Sequence, residues 1–421
     1  MERQYLCIDL KSFFASVECV ERGLDPMETN LVVADPERSE GTICLAVSPS
    51  MKRLGVKNRC RVFEIPKNIE YIKAEPRMQY YINYAADIYA VYLKYVSKDD
   101  IHVYSIDEAF LDVTEYLPLY KMTARELGDK IRQDILDTVG IPAACGIGTN
   151  LYLAKIALDI TAKHSPVFLG ELNEKSYRET LWDHKPLTDF WRIGRGIAAR
   201  LESRGIYCMR DIANCREKIL YDLLGVDAEI LIDHAWGREP TTIADIKAYK
   251  CQNHSVSSGQ VLHRDYNYTD GTVIVREMAE QLSLELFDME LVAHSLTLSL
   301  SFSDKTMPAA RGTERFLTPT SSSEQTIKAA LAVYERLMPK NESIRKVNIT
   351  LNQVVEEMPL QFNLFADSEK LKREKNQMQA VIGIKKKFGK NAILRGTDLK
   401  SAATGRDRNR QIGGHKSGEK G

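Results

Sequence analysis

No stretch of the 421 residues is apolar for the length needed to cross a bilayer, and Met1-Glu-Arg-Gln runs straight into a strand-like segment without a signal-peptide pattern. Both absences predict a chain that stays in the cytoplasm, with no membrane partner. The eight cysteines include no Cys-x-x-Cys pair and no Cys/His cluster. Neither a zinc site nor a disulfide framework is therefore indicated, and buried thiols in a reducing compartment are expected. Excess charge of either sign is also missing: 58 Lys and Arg balance 58 Asp and Glu. A uniformly basic nucleic-acid binder is thereby disfavoured, while local patches remain open.

The length predicts about two to four domains, and 44% apolar with 28% charged residues is ordinary for globular protein. Charge is unevenly spread. From Lys385 to Gly421 there are 11 Lys and Arg against 3 Asp and Glu, among Gly, Ser and Asn, which reads as a mostly disordered basic tail, and residues 369–421 as a whole are expected to be basic and partly disordered.

The most informative stretch is Tyr104-Ser-Ile-Asp-Glu-Ala-Phe-Leu-Asp-Val113. Apolar residues flank two adjacent carboxylates, Asp107 and Glu108, which suits two short strands meeting at an acidic turn. Such a turn offers hard oxygen ligands to Mg²⁺ if a third carboxylate joins it, and is otherwise a solvated hairpin. The strand Tyr5-Leu-Cys-Ile-Asp9-Leu delivers Asp9 to its C-terminal end and can supply that partner, since strands distant in sequence often lie side by side. Ser12 follows as a candidate helix cap before Phe13-Phe-Ala-Ser-Val-Glu18. Strands are expected at Leu31–Ala34 and Thr42–Val47, and a helix with tyrosines in its core face from Met78 to Val96.

Ser48-Pro-Ser-Met-Lys52-Arg53 reads as a loop entering a short basic helix, and Gly146-Ile-Gly-Thr-Asn150 as a glycine turn capping the helix that carries Lys155. Both lysines could reach a triphosphate; solvated lysines are the alternative. Gly194-Arg195-Gly196, with Ala198, Leu201 and Gly205, matches a helix-hairpin-helix, whose turn presents backbone amides to a DNA phosphate. Residues 241–248 have little periodicity and read as a linker. Beyond them the order βαββαβ predicts a separate α+β domain. In its strand His294 to Ser303, leucines alternate with Ser295, Thr297 and Ser299, leaving a hydroxyl face free for phosphate contacts or for solvent. Gln361-Phe-Asn-Leu364-Phe365 sets apolar residues among polar ones, as a docking peptide would.

The ordered set DLKSFFASVE from Asp9, SPSMKRLGVK from Ser48, SIDEAFLDVT from Ser105, GIGTNLYLAKIA from Gly146 and the Gly194/Gly196 turn resembles the Y-family, or translesion, DNA polymerases over residues 4–365. It is most similar to the UmuC/DinB-like branch that includes Gram-positive UV-damage repair proteins. The resemblance implies a multidomain α+β right hand. The palm spans 1–19 and 78–168, small fingers 20–77, a helical thumb with the helix-hairpin-helix 169–240, the linker 241–248, a βαββαβ little finger 249–356 and a clamp-binding peptide 357–368.

It further implies low-fidelity, template-directed insertion opposite damaged bases, within SOS or UV-damage tolerance. Two Mg²⁺ ions would be held by Asp9, Asp107, Glu108 and the Leu10 carbonyl. Lys52 and Lys155 would face the triphosphate, with Phe13 and Phe14 beside the nucleotide and Phe14 as the steric gate against ribose. Gln361, Leu364 and Phe365 would anchor a sliding clamp, and primer-template DNA and dNTP would be the other partners of a monomer. Two departures stand out: Lys11 replaces a second Asp common in relatives, and Pro49 replaces a triphosphate-contacting tyrosine. They keep a second reading open, a non-catalytic DNA- and clamp-binding accessory factor.

Overall fold

The computed structural model describes residues 2–251, 254–357 and 368–418. These residues form two compact units, the first running to Tyr249 and including the segment from His415, the second running from Lys250 to Gly414. Among the described residues no helix is long and apolar enough to cross a membrane. Six of the eight thiols are buried, while Cys215 is half-buried and Cys251 exposed.

Unit 1 is built on β1 (Tyr5–Leu10), followed by α1 (Phe13–Val20), β2 (Leu31–Val33), β3 (Ala46–Val47), α2 (Pro49–Arg53), β4 (Ile72–Ala74), α3 (Met78–Leu93), β5 (Ile101–Val103), β6 (Glu108–Asp112), α4 (Leu117–Tyr120), α5 (Ala124–Val139), β7 (Ala143–Gly148), α6 (Leu151–Ile156) and β8 (Leu169–Leu172). Five strands make one sheet in the order β5-β6-β1-β7-β8. As the central strand, β1 is covered on both faces, which is why its sequence is apolar nearly throughout. Leu6, Ile8 and Leu10 enter the core shared with α1, α3 and α5, while Tyr5 and Cys7 point to the other side with Phe110, Leu151 and Ala154. The smaller sheet β3-β2-β4 carries α2. The strand expected over Thr42–Val47 shortens to Ala46–Val47, preceded by a single bridge between Ile43 and Arg61.

A helical segment follows: α7 (Glu174–Thr180), α8 (Arg195–Glu202), α9 (Met209–Asn214), α10 (Glu217–Leu224), α11 (Asp227–Ala235) and α12 (Ile243–Ala248). The last helix corrects the linker expected at 241–248. Thr242 and Asp245 form a capping box there, and Ile243 is buried beside Phe168, so the segment is anchored.

Unit 2 contains β9 (His254–Tyr266), α13 (Tyr268–Asp288), β10 (Leu291–Phe302), β11 (Ala310–Thr320), α14 (Ser323–Leu337) and β12 (Ile344–Glu356), the βαββαβ order expected from sequence. Its strands are arranged β11-β10-β12-β9. Leu296, Leu298 and Leu300 pack with Ile349, Leu351, Met278 and Val333 under the helices, so one sheet face is left polar.

The disorder expected from Lys385 onwards, within a tail over 369–421 read as partly disordered, is corrected for the described part, which is folded. Here α15 (Ser368–Phe388) lies against α13 with Met378 and Ile382 buried. Glu374 accepts hydrogen bonds from Ser322 Oγ at 2.7 Å and the Glu324 amide at 3.0 Å, holding the start of α14. The short α16 (Gly405–Arg408) follows Thr404, whose amide donates at 3.0 Å to the buried Glu277 carboxylate. From His415 the chain belongs to unit 1, where Lys416 pairs with Glu37 at 2.7 Å and with Glu75. Composition suggested disorder because the apolar anchors Met378, Ile382 and Ala402 are few and widely spaced.

Candidate active site

The register of β1 against β6 sets Asp9 directly opposite Glu108. At the same end, the Leu10 amide donates to the Asp107 carbonyl at 2.9 Å, and the amides of Tyr104 and Ser105 both donate to the Glu108 carbonyl at 3.0 Å. The acidic turn is thus held by backbone, and the three carboxylates expected to converge do lie at one end of adjacent strands. Ser105 Oγ donates to Asp107 Oδ1 at 2.6 Å and so braces the turn.

Lysines neutralise this acid cluster in an alternating ladder. Lys155 Nζ lies 2.7 Å from Glu108 Oε2 and 3.0 Å from Asp159, and Lys163 Nζ lies 2.9 Å from Asp159 and 3.2 Å from Asp9 Oδ2. A stretch of π-type turn, Ala157–Thr161, continues α6 and carries Asp159 between the two lysines. Lys155 is only 6% exposed, so it serves Glu108 and does not face a phosphate mouth as the sequence reading expected. Lys163 was missed. The spacing Lys155, Asp159, Lys163 was the available signal, because residues four apart meet on one helical face.

Burial and neighbouring charges both shift these groups. Asp9 is pushed up to about 6 by burial, with Asp107 and Glu108 adding to the rise and Lys163 opposing it. Burial disfavours the Lys155 ammonium, but the surrounding Cys7, Asp159 and Glu108 hold its pKa above the ordinary lysine value. Lys52 extends from α2 towards the same patch; desolvation lowers its pKa, with Asp9 opposing and Lys163 reinforcing the shift. Lys11 is brought down to about 8, chiefly by burial, and its Nζ sits 3.7 Å over the Phe168 ring. Lys11, Lys52 and Lys163 therefore bring three ammonium groups around Asp9, an arrangement suited to a polyanion.

The three carboxylates present the hard oxygen chemistry that Mg²⁺ requires, and the raised Asp9 pKa marks a site where an added cation would relieve repulsion. Among the described residues no three Asp, Glu, His or Cys already surround a common point, and Lys155, Lys163 and Ser105 each hold a carboxylate. Ion binding would exchange those contacts. The donor set fits Mg²⁺, and the lysine ammonium groups occupy positions of positive charge beside it.

Phe14 and Phe13 leave β1 on the first turn of α1. Phe13 is buried in the core, so its ring does not reach a nucleotide, whereas Phe14 is half-buried and stacks on Tyr81 at 4.4 Å. The expected DNA contacts also separate. Gly194, Arg195 and Gly196 are exposed at the start of α8, with open space beside both glycines. Ser295 and Thr297 instead spend their hydroxyls within the sheet: Asn352 donates to both, and Thr297 Oγ1 lies 2.8 Å from Thr313 Oγ1. Register places Arg315 and Arg311 of the edge strand opposite Ser295 and Ser299, and these longer cations, also missed, reach outward from the same face. Gln361, Leu364 and Phe365 lie outside the described residues.

Two models of one family match this chain, the impB/mucB/samB family at residues 8–159 and the impB/mucB/samB family C-terminal domain at residues 253–364, together more than half of the chain. The chain belongs to the impB/mucB/samB family. Within that family it is 28% identical over 420 residues to UvrX of Bacillus subtilis, named for UV-damage repair, covering 99% of this chain and 98% of that protein. It is also 28% identical over 421 residues to DNA polymerase IV 2 of the same organism, covering 98% and 99%. A solved Y-family DNA polymerase chimera built from Dbh and Dpo4 shares the fold, with a TM-score of 0.66 at 21% identity, covering 84% of this chain and 100% of that one. The impB/mucB/samB chain thus has the multidomain α+β fold of a UmuC/DinB-like Y-family polymerase, in keeping with its mixed sheets and helices.

Proposed function

We propose that this chain is a DNA-directed DNA polymerase that extends primers across damaged template bases. The observation that carries the reading is the pairing of Asp9 with Glu108 on adjacent strands, with Asp107 at the turn and Lys11, Lys52 and Lys163 around them. Carboxylates crowded beside ammonium groups suit a nucleoside triphosphate that arrives with divalent cations. Relatives named DNA polymerase IV and UvrX support the same reading.

On this reading the five-stranded sheet is the palm, the β3-β2-β4 sheet with α2 the fingers, the helices from α7 the thumb and unit 2 the little finger. Two Mg²⁺ ions, when bound by Asp9, Asp107, Glu108 and the Leu10 carbonyl, supply Lewis-acid activation of the primer hydroxyl and of the leaving pyrophosphate. Lys52 and Lys163 neutralise the triphosphate, and Lys155 holds Glu108 in place. Phe14 stands below the sugar and excludes the ribose hydroxyl. The exposed Gly194–Gly196 turn and the arginines of β11 grip phosphates without reading bases. A sliding clamp bound through Gln361, Leu364 and Phe365 offsets a loose grip by raising effective concentration at the primer end. Damage-inducible, SOS-type expression and low fidelity belong to the same proposal.

Primer extension with Mg²⁺ and dNTPs decides it. Wild-type protein is expected to extend, and Asp107→Ala with Glu108→Ala to lose extension by more than ~100-fold. Extension by the double variant at the wild-type rate would sink the site. DNA binding without any extension by wild type would favour the non-catalytic accessory reading.

A further inference from the structure

Outside the acid cluster, unit 1 also holds Glu18, whose side chain is fully buried. Phe14 and Glu18 are four residues apart and share one face of α1. Tyr81 of α3 lies along that face. Its ring stacks on Phe14 with 4.4 Å between centroids and 16° between planes, and its hydroxyl donates to Glu18 Oε1 at 2.9 Å. Arg77, one turn earlier on the chain, forks onto the same carboxylate, Nε at 2.9 Å and Nη2 at 3.0 Å, and Arg22 adds a third contact. Tyr81 is thereby pinned at both ends of its side chain, by the helix and by the carboxylate.

Burying a carboxylate with its counter-ions is a costly way to stabilise a helix pair, and an apolar side chain of similar volume would serve packing alone as well. What the ion pair adds is direction. Tyr81 can slide or tilt under Phe14 only by breaking a charge-assisted hydrogen bond. Ring position decides whether a sugar hydroxyl clashes, so the brace acts on selectivity.

We infer that Glu18 is a positioning residue for sugar selection, acting through Tyr81 on the ring of Phe14. The inference rests on the polymerase reading and on Phe14 as the gate. Tyr81→Phe keeps the stacked ring and removes only the link to Glu18; Glu18→Gln keeps an acceptor for Tyr81 but not the charge that orders Arg77.

The measurement is the ratio of kcat/KM for a dNTP to that for the matching ribonucleotide, with Phe14→Ala as the positive control. In Tyr81→Phe the ratio is expected to fall roughly three- to tenfold, the scale of one hydrogen bond, with dNTP insertion near wild type. Glu18→Gln is expected to move it the same way. An unchanged ratio in Tyr81→Phe overturns the inference even if Glu18→Gln fails to fold, and so does an equal loss with both sugars, the mark of a merely structural role. Absence of extension by wild type would instead remove the polymerase reading, and this inference with it.

Discussion

The sharpest mechanical test lies where β7 meets α6. A Cβ built on Gly148 would sit 2.1 Å from the Ala154 amide nitrogen, and one on Gly146 would sit 2.2 Å from the Ala154 carbonyl oxygen. Carbon contacts are comfortable only near ~3.5–4.0 Å, so Gly148→Ala forces the helix back by about 1.5 Å. The obstacle is backbone, which cannot swing aside like a side-chain tip. The cost should therefore reach the upper part of the ~1–3 kcal/mol range for overpacking, or roughly 5 °C or more in the melting temperature of unit 1. The consequence for chemistry is larger, because α6 and the turn after it carry Lys155, Asp159 and Lys163 onto Glu108 and Asp9. A displacement of ~1 Å at a reacting centre costs on the order of 100-fold in rate. Thermal unfolding and single-nucleotide incorporation are the assays. Gly383→Ala, in open space inside α15, is the control and should stabilise by ~0.5–1 kcal/mol. A Gly148→Ala protein that melts and incorporates like wild type would refute the close-approach argument.

Two further expectations concern the helical segment and the peptide near residue 361. Glu239 is half-buried, lies 3.0 Å from His234 and accepts from the Thr241 amide at 2.9 Å. Burial alone would raise its pKa, but these hydrogen bonds bring it from 4.5 down to about 2. A depressed carboxyl stabilises the fold fully above its unfolded pKa and loses that stabilisation as pH falls through its folded one. Glu239→Gln should cost on the order of 1–2 kcal/mol at neutral pH once solvent screening of the half-buried carboxylate is allowed for, with the gap to wild type closing between about pH 4.5 and 2; urea titrations showing the same gap at both ends count against it. Binding to an immobilised sliding clamp should drop sharply in Leu364→Ala with Phe365→Ala while primer-template affinity holds, and equal retention by the double variant would remove the peptide from that role.

Much of this was legible without coordinates where local pattern and global fold agree. The alternation in β10 predicted a sheet with one polar face, and the βαββαβ order emerged as read. Elsewhere local pattern misled. Residues 241–248 lacked periodicity yet form a capped helix, because one buried Ile243 and a capping box suffice to hold six residues. The tail looked disordered because its anchors are carboxylate contacts, Glu277 with Thr404 and Glu374 with Ser322, made between residues far apart in sequence.

The amino-acid order by itself placed Asp9 at a strand end, Asp107 and Glu108 at a turn, and Phe14 in the first turn of a helix. Those follow from strand and helix periodicity, which are local. Only tertiary structure decided how the lysines divide between them. Nothing in the spacing separates Lys155 from Lys163, yet the close seat of α6 on Gly146 and Gly148 buries the first against Glu108 and brings the second to Asp9. Likewise, Glu18 reads as one charged residue in an amphipathic helix until α3 folds over it with Arg77 and Tyr81. The physical reason is common to both: a charge's role depends on which opposite charge lies within a few ångströms after burial, and that distance is set by packing between segments the sequence keeps apart.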